Sequence, residues 1–148
     1  MTHSFKDGWR EGVIFVFFDN GKINIEYRPS ENGKEEIFFT NGSIEDKDHN
    51  QKEDYRITAL KREVSEEFDS KVEISEYNYL GEVKVKEINV IFYVYLIKSW
   101  KGEMPDYTIE EGKRFSRVEW VDLDKVDDVF EYDSAREISA LIREFLLK

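Results

Sequence analysis

The chain has 148 residues, 33 of them acidic and 22 basic, with a formal charge of −11, no cysteine and two prolines. That length suits one domain, residues 1–148, with a core that needs no staple, and the lack of cysteine excludes a disulfide scaffold, a Cys-ligated zinc site and a thiol nucleophile. The acidic balance argues against long nucleic acid as a partner, because polyanion affinity rests on Lys and Arg displacing counterions, and 40% hydrophobic content is too core-rich for a disordered acidic tail.

Gly12 to Phe18 is a continuous apolar run of strand length, closed by Asp19-Asn20-Gly21. Asn-Gly is a strong hairpin signal. Lys22 to Arg28 then alternates apolar and polar residues, the pattern of a half-buried strand, and Glu36 to Phe39 reads as a further short strand. Residues 40–54 are polar and without periodicity, which predicts a loop. From Tyr55 to Asp69 the apolar residues Ile57, Leu60, Val64 and Phe68 mark one face of a helix.

Two β-rich stretches follow, 72–85 and 88–99, the second dominated by β-branched and aromatic residues. Its uncharged run, Ile88 to Ile97, falls well short of the roughly 20 apolar residues a membrane helix needs. The start of the chain lacks a signal-peptide h-region, so a soluble protein in the cytoplasm, without a membrane partner, is expected. Residues 100–113 read as a loop and 115–121 as a strand. Ser134-x-x-Glu137 looks like a capping box before a final amphipathic helix carrying Ile138, Leu141, Ile142, Phe145 and Leu146. The order of elements predicts an α+β fold, a mixed sheet sandwiched between helices.

The chemistry concentrates in Arg62-Glu63-Val64-Ser65-Glu66-Glu67. At about 100° per residue, Glu63, Glu66 and Glu67 fall within about one third of the helix circumference, beside the apolar stripe. Like charges at this spacing cost an isolated helix about 0.2–0.5 kcal/mol per pair. Either they form an ordinary solvated acidic face, or a cation offsets the repulsion. Magnesium suits such a set, being a hard ion that takes carboxylate oxygens and is completed by substrate phosphates.

The same string resembles the Nudix box, G-x5-E-x7-R-E-U-x-E-E-x-G-U with U a bulky aliphatic residue, and matches its six-residue core at every specified position. Asn41-Gly42-Ser43-Ile44-Glu45 resembles the opening of the box, and Asp54 stands eight residues before Arg62, where the family has Glu. Trp120 to Lys125 resembles a late W-x-x-L-D-E/K segment of the family. The chain departs from the pattern in reading Thr40-Asn41-Gly42 for Pro-Gly-Gly, in six additional residues between Gly42 and Asp54, and in Asp69 for the late Gly.

The resemblance implies a Nudix fold and a Mg²⁺-dependent pyrophosphohydrolase, with Mn²⁺ as a substitute ion, that cleaves a phosphoanhydride in a nucleoside diphosphate linked to another group. Nucleoside triphosphates and nucleotide sugars are the candidate substrates. It implies Glu66 and Glu67 as metal ligands, Glu63 as a third ligand or the base, Arg62 as the holder of these carboxylates, and the Asn41 carbonyl and Asp54 as further ligands. Arg28 would contact the substrate, and Glu110 or Glu111 would supply an additional ligand or base. The altered opening and long loop leave a non-catalytic nucleotide-binding module as the alternative. His49 in that loop is a further candidate for substrate contact, and Tyr27, Phe38 and Tyr77 to Tyr79 are candidates for stacking on a base. Oligomeric state is not legible in the sequence.

Overall fold

The computed structural model describes residues 2–148. Its centre is β2 (Trp9–Asp19), which contains the predicted apolar run. It turns through Asn20 and Gly21, with φ of 51° and 78°, into β3 (Lys22–Pro29). Two successive positive φ values are what a two-residue hairpin turn of the primed type requires. A short β1 (Phe5–Lys6) precedes these strands, and β4 (Glu35–Phe38) pairs with β3.

Residues 41–54 are more ordered than their composition predicts. β5 (Asn41–Ser43) lies antiparallel to β2, and a 3-10 turn covers Asp46–Asn50. Helix α1 (Tyr55–Glu67) follows, capped by the Asp54 side chain, which accepts from the backbone N–H of Arg56. It ends where Asp69 and Ser70 take the left-handed conformation, with φ of 56° and 57°. Asp thus fills the position where the box has Gly, as one of the few side chains that visit this region readily.

The antiparallel pair β6 (Glu73–Val85) and β7 (Val90–Lys101) corresponds to the two β-rich stretches. The predicted loop after them contains β8 (Tyr107–Glu110), which pairs with β9 (Lys113–Asp122). The last element is α2 (Asp133–Leu146). It begins one residue before the expected cap: Tyr132 occupies that place without a side-chain cap bond, so Ser134 lies inside the first turn and the capping box is not formed.

The nine strands run in the order β6-β7-β2-β3-β9-β8, with β1, β4 and β5 attached beside β2 and β3. Only the β2–β7 pairing is parallel among those described. Val13, Phe15 and Phe17 of β2 pack with Leu60, Val64 and Phe68, whereas Ile14 and Val16 belong to a second cluster with Ala135, Ile138 and Ile142. Helices therefore cover both faces, and a strand buried on both faces reads as an unbroken apolar run. The same burial corrects the half-exposed reading of β3, where Asn24 and Glu26 are buried despite their polarity. Among the described residues no helix is long and apolar enough to cross a membrane.

Candidate active site

Helix α1 is held on the sheet by its apolar stripe, and this packing turns the adjacent acidic face toward β5. Glu63 is buried against Gly42, so closely that a β-carbon at Gly42 would lie 2.1 Å from the Glu63 carboxylate. The opening Asn-Gly therefore has a steric function: only glycine leaves room for the acid.

Arg62 organises the surrounding charges. Its Nε and Nη2 donate to the two Asp48 oxygens at 3.0 and 2.9 Å, and Nη2 also donates to the Ser43 carbonyl at 3.0 Å. Nη1 donates to Glu63 at 2.9 Å and to Glu66 at 3.0 Å. The planar guanidinium thus ties the 3-10 turn, β5 and the acidic face of α1 together, a bidentate geometry that lysine does not provide. Burial opposes ionisation of Asp48, but the Arg62 hydrogen bonds hold its carboxyl below the usual range.

Asp48, six residues after Gly42, stands at the spacing of G-x5-E. The count forward from Gly42 finds it. The count back from Arg62 finds Asp54, because the interval from Gly42 to Arg62 is six residues longer than the pattern. Asp54 caps α1 and pairs with Arg56 at 3.0 Å. Twelve residues of helix separate it from Glu66, about 18 Å along the axis. The structure does not bring Asp54 to the carboxylate face.

Glu63 and Glu67 are strongly perturbed. Burial, with further repulsion from Glu66 and Glu45, raises Glu63 to about 7 despite Arg62. Burial raises Glu67 to about 9, with repulsion from Glu26, Glu63 and Glu110 outweighing the attraction of Arg28. Glu110 is therefore close enough to act on this group, whereas Glu111 sits in the β8–β9 turn at φ 52° and is exposed. Glu66 is the exposed member of the set. Among the described residues no three carboxylates or imidazoles converge as a ready metal cage, with Glu63 and Glu66 both turned onto Arg62. The donor chemistry nevertheless fits a hard divalent ion, since these are carboxylate oxygens that outnumber the one guanidinium among them, with Glu67 driven up by the acids around it.

Beside this face opens a cleft of about 520 Å³, within the usual size range of ligand sites. Arg28 and Asn41 line it together with Phe38, Phe92, Tyr132 and Ser134. Of the aromatics singled out from sequence, Phe38 reaches the cleft. Tyr27 is buried beneath the Arg117 guanidinium and Tyr79 lies near Arg56, so neither lines it. His49 is also engaged elsewhere: its Nε2 lies 2.8 Å from Ser4 Oγ, and its ring stacks on Tyr55 at 3.9 Å. Glu26, absent from the sequence reading, is buried close to Arg28 and acts electrostatically on Glu67. No sequence signal separates it from Asn24, which occupies an equivalent polar position in β3.

By sequence, no family model and no curated protein matches the chain. By structure, it is similar to a MutT Nudix hydrolase from Burkholderia pseudomallei at 18% identity and a TM-score of 0.69, over 90% of this chain and 97% of that one. An ADP compounds hydrolase aligns at 15% identity and a TM-score of 0.67, over 92% and 72% of the two chains. The Nudix domain of NrtR from Shewanella oneidensis, solved with ADP ribose, aligns at 16% identity and 0.66, over 96% and 90%. The structural neighbours across the chain are Nudix hydrolases, and the fold is the α+β Nudix fold with its mixed sheet and two helices.

Proposed function

We propose that this Nudix-fold chain is a Mg²⁺-dependent pyrophosphohydrolase acting on a nucleoside diphosphate linked to another group. The observation that carries the reading is the pair Glu63 and Glu67 on one face of α1, the first buried against Gly42 and the second half-buried, driven to about 7 and about 9 by desolvation and by neighbouring acids. Folded chains seldom bury acids without compensation unless the site uses them.

Glu66, Glu67, Glu63 and the Asn41 carbonyl are the groups that would hold Mg²⁺, or Mn²⁺ in its place. When bound, the ion neutralises the diphosphate and makes a coordinated water more acidic. Glu63, which titrates near neutrality, is suited to accept a proton at its carboxylate, because a general base works best with its pKa close to the working pH. Arg62 fixes the orientation of Glu63 and Glu66, and Arg28 offers its guanidinium to phosphate oxygens at the wall of the cleft. Phe38, Phe92 and Tyr132 supply apolar faces for the organic part of the substrate. A small nucleotide is the partner this reading requires.

Glu63 and Glu66 turned onto Arg62, with no preassembled metal cage among the described residues, favour as a second reading a module that binds a nucleotide without cleaving it. One assay separates the two. Phosphate release, coupled through pyrophosphatase or phosphatase, is measured over nucleoside triphosphates, nucleotide sugars and dinucleoside polyphosphates, with Mg²⁺ and with EDTA. Turnover of one class that EDTA abolishes is expected; saturable nucleotide binding by folded protein without product would replace the hydrolase with the binding module.

A further inference from the structure

Glu26 is an acid in the interior of β3 with 3% of its surface exposed, and its one part in the site so far is its repulsion of Glu67. Its Oε2 accepts from Ser116 Oγ at 2.8 Å and, more weakly, from Thr108 Oγ1 at 3.4 Å. Both hydroxyls are themselves buried, and they come from adjacent strands, β9 and β8. One oxygen of Glu26 is thus anchored to the sheet. The other, Oε1, lies 3.7 Å from Arg28 Nε.

Residues two apart in a strand project from the same face. Arg28 therefore emerges beside the anchored carboxylate, and its guanidinium rests over the Phe115 ring at 5.0 Å from the centroid. Phe115 and Ser116 are neighbours in β9, so a single segment supplies both the ring beneath Arg28 and the hydroxyl that fixes Glu26. The Arg28 Nε is buried without a hydrogen-bond partner, while the side chain as a whole is 40% exposed and lines the cleft. Its Nε edge is confined while the residue as a whole borders the cleft.

We propose that Glu26 is a positioning residue that, with Phe115, holds the Arg28 guanidinium in place for the phosphates of the substrate. The functional part of this inference rests on the hydrolase reading. Two physical effects oppose each other at this point. An acid near a phosphate site repels the substrate, whereas an arginine already fixed in its binding geometry loses less side-chain freedom on binding. Its anchoring by buried hydroxyls indicates that the second effect prevails, since a carboxylate held by the sheet cannot swing away from Arg28 to engage solvent.

The test begins with a readout independent of catalysis. Exchange of the Arg28 Nε–H with solvent is followed by ¹⁵N NMR in the wild-type chain, in Glu26→Gln and in Ser116→Ala. Exchange is expected to be slow in the wild type and faster in both variants; equal exchange in all three would overturn the positioning role. In the turnover assay, Glu26→Gln is expected to raise KM by about 10-fold while kcat stays within about twofold. In an Arg28→Ala background the same substitution should raise KM far less, because only the repulsion between Glu26 and Glu67 is then left to change.

A KM that falls in Glu26→Gln would show that repulsion prevails, and effects that multiply in the double variant would show that Glu26 acts independently of Arg28; either result overturns the proposal. Ser116→Ala removes the anchor without altering charge and serves if Glu26→Gln fails to fold. Absence of turnover in the wild type with normal Nε–H protection would refute the hydrolase reading and leave the clamp intact.

Discussion

Glu11 is buried and Glu67 half-buried, and their surroundings drive the two carboxylates in opposite directions. Glu11, 1% exposed in β2, accepts hydrogen bonds from Ser4 Oγ at 2.7 Å and from the Tyr55 and Tyr93 hydroxyls at 2.5 Å. Burial alone would raise its pKa, but the three donors and the nearby His49 hold it below the ordinary carboxylate value. Glu67 is raised to about 9 by burial, and its nearest charged neighbours are mostly further acids. Burial by itself does not mark a functional acid. The distinguishing feature is whether the fold supplies partners for the charge, as it does for Glu11, or withholds them.

The comparison is broken most forcefully by removing the acids whose pKa the fold raises, Glu63 and Glu67. Glu63→Gln is expected to lower kcat by about 10²–10⁴-fold if Glu63 is the base. Glu67→Gln should lower turnover by at least about 10-fold and weaken the response to Mg²⁺. Both variants should remain folded in circular dichroism, and full activity in both would remove the metal assignment. Glu11→Ala should do the reverse. It leaves the buried Tyr93 hydroxyl, the half-buried Tyr55 hydroxyl and the buried Ser4 without their acceptor, and should cost about 3 kcal/mol of stability in urea melts. Whatever chain remains folded should retain its response to Mg²⁺.

A smaller loss is expected for Asp48→Asn. One oxygen remains to accept from Arg62, but the charge that anchors the guanidinium is gone, and Glu63 and Glu66 lose their common reference point. Turnover should fall about 10–100-fold, as for other groups that orient ligands without touching the metal. Substitution of Arg62 by Lys should behave alike, because a point charge cannot make two parallel bonds to Asp48 while reaching both glutamates.

The pH dependence sharpens the contrast because the two acids enter with opposite sign. Glu67 keeps its proton in the folded chain up to about pH 9, whereas the unfolded carboxyl loses it near 4.5. The folded state then binds more protons in that window, so this contribution to stability is full below about 4.5 and is lost as pH rises toward 9. Glu63 adds the same sign between 4.5 and about 7. Glu11, held low, contributes stability that is present above 4.5 and lost as acid titrates the folded carboxyl. Glu67→Gln should therefore flatten the slope between pH 5 and 9 and raise Tm at pH 8 by a few degrees, equivalent to about 1–2 kcal/mol. An unchanged slope would mean that Glu67 has found a partner in the folded chain.

Much of this architecture was legible in the amino-acid order, for physical reasons that also explain the exceptions. The run from Gly12 to Phe18 and the periodic residues of α1 announce their elements because burial on a sheet or a helix face imposes a repeat on the side chains. β5 and β8 are three and four residues long, too short for a repeat, and their pairing comes from neighbours distant in sequence. Within the site, Glu63, Glu66 and Glu67 share one helix, so spacing alone groups them. Glu26 and Asp48 reach the same region through the sheet and a turn, and only tertiary packing shows that Glu26 is buried beside Arg28. The Asp48 and Asp54 assignments diverged because an insertion preserves spacing on one side only, and the side depends on where the extra residues loop out.

That divergence supplies the mildest and most discriminating substitution. Asp54 donates no structure to the carboxylate face; it accepts from the backbone N–H of Arg56 at 2.9 Å and pairs with the Arg56 side chain, whose guanidinium lies over Tyr79 and Tyr93. The Arg56 hydrogen bonds hold the Asp54 carboxyl below its ordinary value against the effect of burial. Asp54→Ala should cost about 1 kcal/mol, the usual worth of a helix N-cap, visible as a drop of a few degrees in Tm. Below that lower Tm, kcat, KM and the Mg²⁺ concentration for half-maximal activity should equal those of the wild type. A loss of Mg²⁺ affinity in Asp54→Ala, with Asp48→Asn unaffected, would exchange the roles of the two aspartates and place the loop's extra residues before the acidic position of the box.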